Sequence, residues 1–313
     1  MTLLTQVKDQ NRFNKSSELI VAGIPAFNEE RTIAKLVLEI QKFVDVVLVC
    51  DDGSTDLTAE IAERMGAEVI RHDRNLGYGA AIKTLFEIAR KMEANVLVTI
   101  DADGQHDPQE IPQVIAPILE NRADIVLGSR FLGNNENGIP RHREWGIRII
   151  SKLTGYASNH ELNDAQCGFR AYGPDAINGL KLVENGMGLS VELVMKARKQ
   201  GLTVVEVPTE CKYKDLEKTS TQNPLSHATS VIISILRFAI EDRPLTALGI
   251  PGFICLLAGI GFGVWMLQLY ALEHRVVTNV ALAAIAFILI GMFTLFTAVT
   301  LYAISRQSQK NGN

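Results

Sequence analysis

Cysteine is scarce in this chain and never paired in sequence. Cys50, Cys167, Cys211 and Cys255 are scattered without a C-x-x-C spacing, the usage of reduced thiols in a cytosol-facing protein rather than of a disulfide framework. The net charge of −4 gives no sign of a nucleic-acid surface, which would need basic residues concentrated in a patch. Residues 5–18 are polar and lack the positive-then-apolar order of a secretory signal. There is no internal repeat and no low-complexity tract. The 313 residues leave room for one large α/β domain and an accessory segment.

A second absence is local. Leu245 to Leu272 contains no Asp, Glu, Lys or Arg, and neither does Val276 to Ser305. Each run is long enough to cross a hydrocarbon layer of about 30 Å as a helix rising about 1.5 Å per residue. Glu273-His274-Arg275 between them is too short for a domain, so a helical hairpin is expected. Arg237 and Arg243 precede it and Arg306 and Lys310 follow it, against one Arg in the turn; this places both termini in the cytoplasm.

The rest of the chain is organised around Val96-Leu-Val-Thr-Ile-Asp101-Ala-Asp103-Gly-Gln105. The uncharged, β-branched run predicts a buried strand of a parallel sheet. Ligands of open α/β sheets bind outside the carboxyl ends of the strands, where this strand delivers two carboxylates one residue apart. Such a pair repels itself unless a cation bridges it, and Mg²⁺ or Mn²⁺ suits carboxylate, amide and phosphate oxygens. The reading is a metal site that holds a diphosphate; the competing one is a polar cap on the next turn. An EF-hand loop is excluded by His106 and Pro112, which stand where it needs Gly and Glu.

Strands and helices alternate along the chain. Strands are expected at 18–25, 45–50, 67–71, 96–100, 123–127 and 203–208. Helices are expected at 32–43, up to Met65, from about 78 to 91, and near 174–180 and 189–200. Ser54 or Asp56 would cap the second helix. This pattern implies right-handed crossovers and a mostly parallel, doubly wound sheet. Gly77-x-Gly79 invites a dinucleotide reading, but Ile82 replaces the third glycine and the motif follows the third strand. Its small residues serve either backbone approach to a base or phosphate or plain close packing. Asn134–Ile139 reads as a loop, Arg141–Tyr156 as a basic helix, 164–170 as a polar turn, and 211–223 as a Lys-rich loop. Ser226–Asp242 has one apolar helical face, fitted to a membrane interface or to core packing.

The ordered set from Ile24-Pro25-Ala26-Phe27-Asn28-Glu29-Glu30 through Asp51-Asp52-Gly53-Ser54-Thr55-Asp56, Asn75-Leu76-Gly77-Tyr78-Gly79, Asp101-Ala102-Asp103-Gly104-Gln105, Gly128-Ser129-Arg130, Gly168-Phe169-Arg170 and Glu206-Val207-Pro208 resembles family 2 glycosyltransferases of the GT-A fold. Within them it resembles the dolichyl/polyprenyl-phosphate sugar synthases, over roughly residues 19–210. The resemblance implies an α/β, Rossmann-like GT-A domain with flanking helices and a C-terminal two-helix transmembrane hairpin. The implied boundaries are a polar segment at 1–17, the catalytic domain at 18–222, an interfacial helix at 223–243, two membrane helices at 244–305 and a cytoplasmic tail at 306–313.

The resemblance also implies roles. Pro25, Phe27, Glu29, Asp52, Gly77 and Asp101 would bind the nucleotide, and Asp101, Asp103 and Gln105 the Mg²⁺ or Mn²⁺. Arg130, Arg148, Ser151, Lys214 and Lys218 would receive the acceptor phosphate, although the family's Gly-x-Ser-Lys pattern is missing from the loop. Asp101, Asp103 and Arg130 would carry catalysis. The implied activity is inverting transfer of a hexose from GDP-mannose, UDP-glucose or UDP-N-acetylglucosamine to dolichyl or polyprenyl phosphate. The implied partners are donor, lipid phosphate and bilayer, with a homo-oligomer left open and no nucleic acid. The rival readings are a transferase extending a lipid-linked or cell-surface glycan and a membrane-anchored pseudoenzyme. A processive synthase would carry Gln-x-x-Arg-Trp, which neither Trp145 nor Trp265 completes.

Overall fold

The computed structural model describes residues 18–132, 147–148, 151–152, 162–211, 240 and 244–311. The expected 134–139 loop, most of the 141–156 helix, the 212–223 loop with Lys214 and Lys218, and all of the 223–243 helix except residue 240 lie outside them. The chain divides into two units, Met1–Ile232 and Ile233–Asn313.

The first unit is built on seven strands: β1 (Ile20–Ala26), β2 (Val46–Asp51), β3 (Glu68–Arg71), β4 (Val96–Thr99), β5 (Ile125–Ser129), β6 (Arg170–Tyr172) and β7 (Val204–Pro208). Their order is β3-β2-β1-β4-β6-β5-β7. All pairings are parallel except those of β6, which runs antiparallel to both β4 and β5. The helices are α1 (Ile33–Ile40), α2 (Thr58–Arg64), α3 (Tyr78–Lys91), α4 (Ile111–Leu119), α5 (Pro174–Gly179) and α6 (Leu189–Lys199).

Period-two alternation divides the core between the sheet's two faces. Ala22, Ile24, Val47, Val49, Val96 and Val98 pack with Ile33, Leu36, Val37 and Ile40 of α1 and with Ile111, Val114 and Ile118 of α4. Val21, Leu48, Cys50 and Leu97 pack with Ile82, Leu85 and Phe86 of α3 and with Leu193 and Val194 of α6. Burying each Leu, Ile or Phe stabilises by about 1.5–3 kcal/mol, so a strand read as uncharged on both faces must be covered on both.

Two expectations need correction. Residues 164–170 were expected as a turn, yet Arg170–Tyr172 at its end is a strand, with Arg170 opposite both Thr99 and Leu127. Three residues carry too little periodicity to declare themselves; the gap between two long strands makes them a strand. Ser54 does not cap α2. Its hydroxyl accepts from the Asn28 amide (2.8 Å), and Asp56 accepts from the Thr58 amide (3.0 Å).

The second unit holds α7 (Ile250–Glu273), preceded by a π-helical turn at Leu245–Gly249, and α8 (Thr278–Asn311). His274, in the left-handed region, ends α7. The spans Leu245–Glu273 and Thr278–Ile304, with mean hydropathies of 2.1 and 2.5, are long and apolar enough to cross a membrane. Close backbone approach holds the pair together. A Cβ on Gly259 would stand 2.7 Å from Ile288, and one on Gly291 2.6 Å from the Leu256 amide. Leu272, Phe293 and Phe296 point outward instead.

Candidate active site

Strand order turns at β1 and β4: β1 is followed on one side by β2 and β3, and β4 lies on the other. A crevice at the carboxyl ends of such a pair is where doubly wound sheets bind ligands. Here β1 delivers Phe27–Glu30 and β4 delivers Asp101–Gln105.

Hydrogen bonds knit the β1 loop to the β2 loop. The Asn28, Glu29 and Glu30 amides donate to Ser54 Oγ (2.8 Å), Thr58 Oγ1 (2.8 Å) and Asp56 Oδ2 (3.2 Å). Asn28 Oδ1 returns the link by accepting from the Thr55 amide at 2.9 Å. Asp51 is buried against Arg71 (3.1 Å). Asp52 accepts from the Leu76 and Gly77 amides (2.9 and 2.8 Å) and pairs with His72 Nδ1 (2.7 Å).

Gly77 and Gly79 are where the two open readings of that motif part. A Cβ on either would press into the backbone of residues 184–185, and the Ala80 amide donates to the Asn185 carbonyl (3.2 Å). Glu192, buried on α6, holds that strap by accepting from the Val183 and Glu184 amides at 2.8 Å each. Close packing accounts for these glycines.

The carboxylate pair is electrostatically loaded. Burial, and next the charge of Asp103, push Asp101 up to about 6, against the pull of His106, Arg170 and Arg130. Burial and Asp103 likewise push Glu29 up to about 7. Asp101 Oδ1 is buried and has no hydrogen-bond partner among the described residues. A loaded pair with an orphaned oxygen fits a divalent cation. No three His, Cys, Asp or Glu side chains cluster into a metal cage among the described residues. Gln105 is buried, and its Oε1 faces Cys211 Sγ at 3.4 Å.

Beside this pair the antiparallel β6 brings Gly168 against Asp101; a Cβ there would overlap the carboxylate. Arg170 holds the approach to β6 through the Cys167 carbonyl (2.6 Å), the Ala165 carbonyl (2.9 Å) and Ser190 Oγ (2.9 Å). Arg130, at the end of β5, forks onto Asp164 with Nε–Oδ2 of 2.6 Å and Nη2–Oδ1 of 2.8 Å. Glu206 of β7 accepts from the Asn163 and Asp164 amides (3.0 and 2.7 Å).

Ser151 Oγ accepts from the Ala165 amide (3.0 Å), and the Arg148 guanidinium lies 4.6 Å from the centre of the Phe131 ring. Arg130, Arg148 and Ser151 thus meet Asp164, Phe131 and Ala165 respectively. Arg170, Glu192 and the pairing role of Asp164 escaped sequence reading. A buried charged residue that serves only other protein atoms has no spacing signature.

A switch point of this kind, with paired carboxylates at the strand end, is where a doubly wound α/β protein receives its ligand. The profile of Glycosyl transferase family 2 matches residues 22–180, and the chain belongs to that family. It is 30% identical to the UDP-N-acetylglucosamine–dolichyl-phosphate N-acetylglucosaminyltransferase of Methanococcus voltae, over 71% of this chain and 94% of that one. It is 28% identical to a dolichyl-phosphate hexose transferase of Haloferax volcanii, over 69% and 92% of the two chains. The fold is shared with glucosyl-3-phosphoglycerate synthase from Mycobacterium tuberculosis, at a TM-score of 0.58 and 21% identity, over 72% of this chain and 81% of that one. That enzyme's structure holds Mn²⁺, UDP-glucose and phosphoglyceric acid.

Proposed function

We propose that this glycosyltransferase moves a hexose from a nucleotide sugar onto dolichyl or polyprenyl phosphate with inversion. The observation that carries the reading is the Asp101–Asp103 pair, buried in part, with an unsatisfied oxygen and within the electrostatic reach of Arg130 and Arg170. The two dolichyl-phosphate transferases among the relatives support the choice of acceptor.

Pro25, Phe27 and Glu29 hold the nucleoside. Asp52 uses three of its roughly four lone-pair sites internally, which leaves one for a base N–H. Asp101 and Asp103 would hold a divalent cation, Mg²⁺ or Mn²⁺, which when bound would neutralise charge on the departing diphosphate. Arg130, Arg148 and Ser151, with Lys214 and Lys218, receive the acceptor phosphate and align it with the anomeric carbon. A phosphate monoester has a second pKa of about 6, so this nucleophile is ionised near neutral pH and needs no general base. Asp164, the carboxylate that could otherwise be cast as that base, is fully buried and forked to Arg130. The hairpin anchors the enzyme in the bilayer, with both termini and the catalytic domain on the cytoplasmic side.

The test is a donor panel on full-length protein in detergent with dolichyl phosphate. Labelled GDP-mannose, UDP-glucose and UDP-N-acetylglucosamine are each run with Mg²⁺ or Mn²⁺ and again with chelator. The expected result is an organic-extractable, chelator-sensitive product from one donor. Nucleotide binding without any lipid product would instead favour a glycan-extending transferase or a pseudoenzyme.

A further inference from the structure

Thr32 stands at the N-cap of α1, a position where a Thr hydroxyl ordinarily accepts from an amide of the helix's first turn. It makes no such bond here. Its hydroxyl reaches 70 positions along the chain instead and donates to the Ala102 carbonyl at 2.6 Å. A hydroxyl has one proton, and the contacts to the Glu29 carbonyl (3.2 Å) and Glu29 Oε2 (3.3 Å) are far longer. The proton therefore belongs to Ala102.

Ala102 is the residue between the two carboxylates, and its carbonyl belongs to the peptide that leads into Asp103. The turn is closed on its other side by the Gln105 amide, which donates to Asp103 Oδ1 (3.0 Å), and by Gly104 in the left-handed region. Thr32 also stands over this turn, since its Cγ2 is the nearest atom that a Cβ added to Gly104 would meet, at 3.6 Å. Among the described residues, Thr32 thus ties the loop after β1 to the turn that carries Asp101 and Asp103.

We propose that Thr32 is a positioning residue, whose hydroxyl holds the Ala102 carbonyl so that the Asp101–Asp103 turn presents its carboxylates to the divalent cation of a bound donor diphosphate. This rests on the reading of the pair as the place where a divalent cation and a diphosphate are received. It adds a residue that touches neither, and separates a cap forgone at α1 from a bond made across the crevice.

Thr32→Val and Thr32→Ser divide the side chain. Val keeps the volume over Gly104 and removes the proton; Ser keeps the hydroxyl and removes the methyl. Mn²⁺ is titrated into the full-length protein in detergent with UDP or GDP present, and free Mn²⁺ is read by electron paramagnetic resonance beside the thermal midpoint. T32V should bind Mn²⁺ about tenfold more weakly, the size of effect seen when an outer partner of a metal ligand is lost. Its midpoint should fall by no more than the few degrees that one lost hydrogen bond costs, and T32S should bind as the parent does. T32V binding Mn²⁺ like the parent would overturn the proposal. So would T32S failing as badly as T32V, since the methyl contact would then be what matters. A parent protein that binds no Mn²⁺ with either nucleotide would overturn the metal reading itself, and this proposal with it.

Discussion

The two sides of the crevice are built by different physics. On the β1–β2 side, beside the pairs Asp51–Arg71 and Asp52–His72, the loops are held by many backbone amides, with Ser54 and Thr58 accepting one each and Asp56 and Asp52 two each. On the β5–β7 side one buried ion pair, Arg130–Asp164, is supported by Glu206 and Ser151. Hydrogen bonds contribute about 1 kcal/mol each and fail singly. A buried pair contributes little net stability, yet stripping one partner leaves an uncompensated charge. The first side should therefore degrade by degrees and the second all at once.

The sharpest way to break this comparison is Asp164→Asn, which leaves Arg130 buried against a neutral amide. A loss of about 3–5 kcal/mol is expected in a denaturant titration. The double variant Arg130→Met/Asp164→Leu should recover most of that stability without recovering transfer to a lipid phosphate. Next in size is Gly168→Ala, whose methyl overlaps the Asp101 carboxylate. It should cost about 1–3 kcal/mol and weaken Mn²⁺ binding more than nucleotide binding, read by calorimetry with each ligand.

On the other side, Ser54→Ala removes the acceptor of a single amide and should cost about 1 kcal/mol. A cost as large as that of Asp164→Asn would erase the contrast. The smallest effect concerns Glu29, held at about 7 against an ordinary 4.5. The folded state binds this proton more tightly than the unfolded chain does. Its contribution is therefore complete below pH 4.5 and is lost as pH rises toward 7. The melting temperature of metal-free Glu29→Gln should accordingly fall less over that window than the parent's.

The same division explains what sequence reading reached. The Asp101–Asp103 pair, the alternating strands and helices and the two apolar spans were legible because each is a local pattern of period, charge or length. Of the two residues offered as a cap for α2, Asp56 takes the Thr58 amide, while the Ser54 hydroxyl has a rival amide 26 positions away, at Asn28. The strand Arg170–Tyr172 was missed because three residues contain barely one period.

By itself, then, the sequence determined a doubly wound domain with carboxylates at a strand end and an apolar hairpin after it. Hydrophobic periodicity and charge exclusion act between neighbours, so they are written in neighbouring letters. Only the tertiary structure decided that Arg130 faces Asp164 across 34 positions, that Asp164 is held by Glu206 across 42, and that Thr32 serves Ala102 across 70. Those pairings follow from which strands lie side by side, above all from β6 inserted between β4 and β5. Burial then makes each polar group find whichever partner the fold has brought within reach.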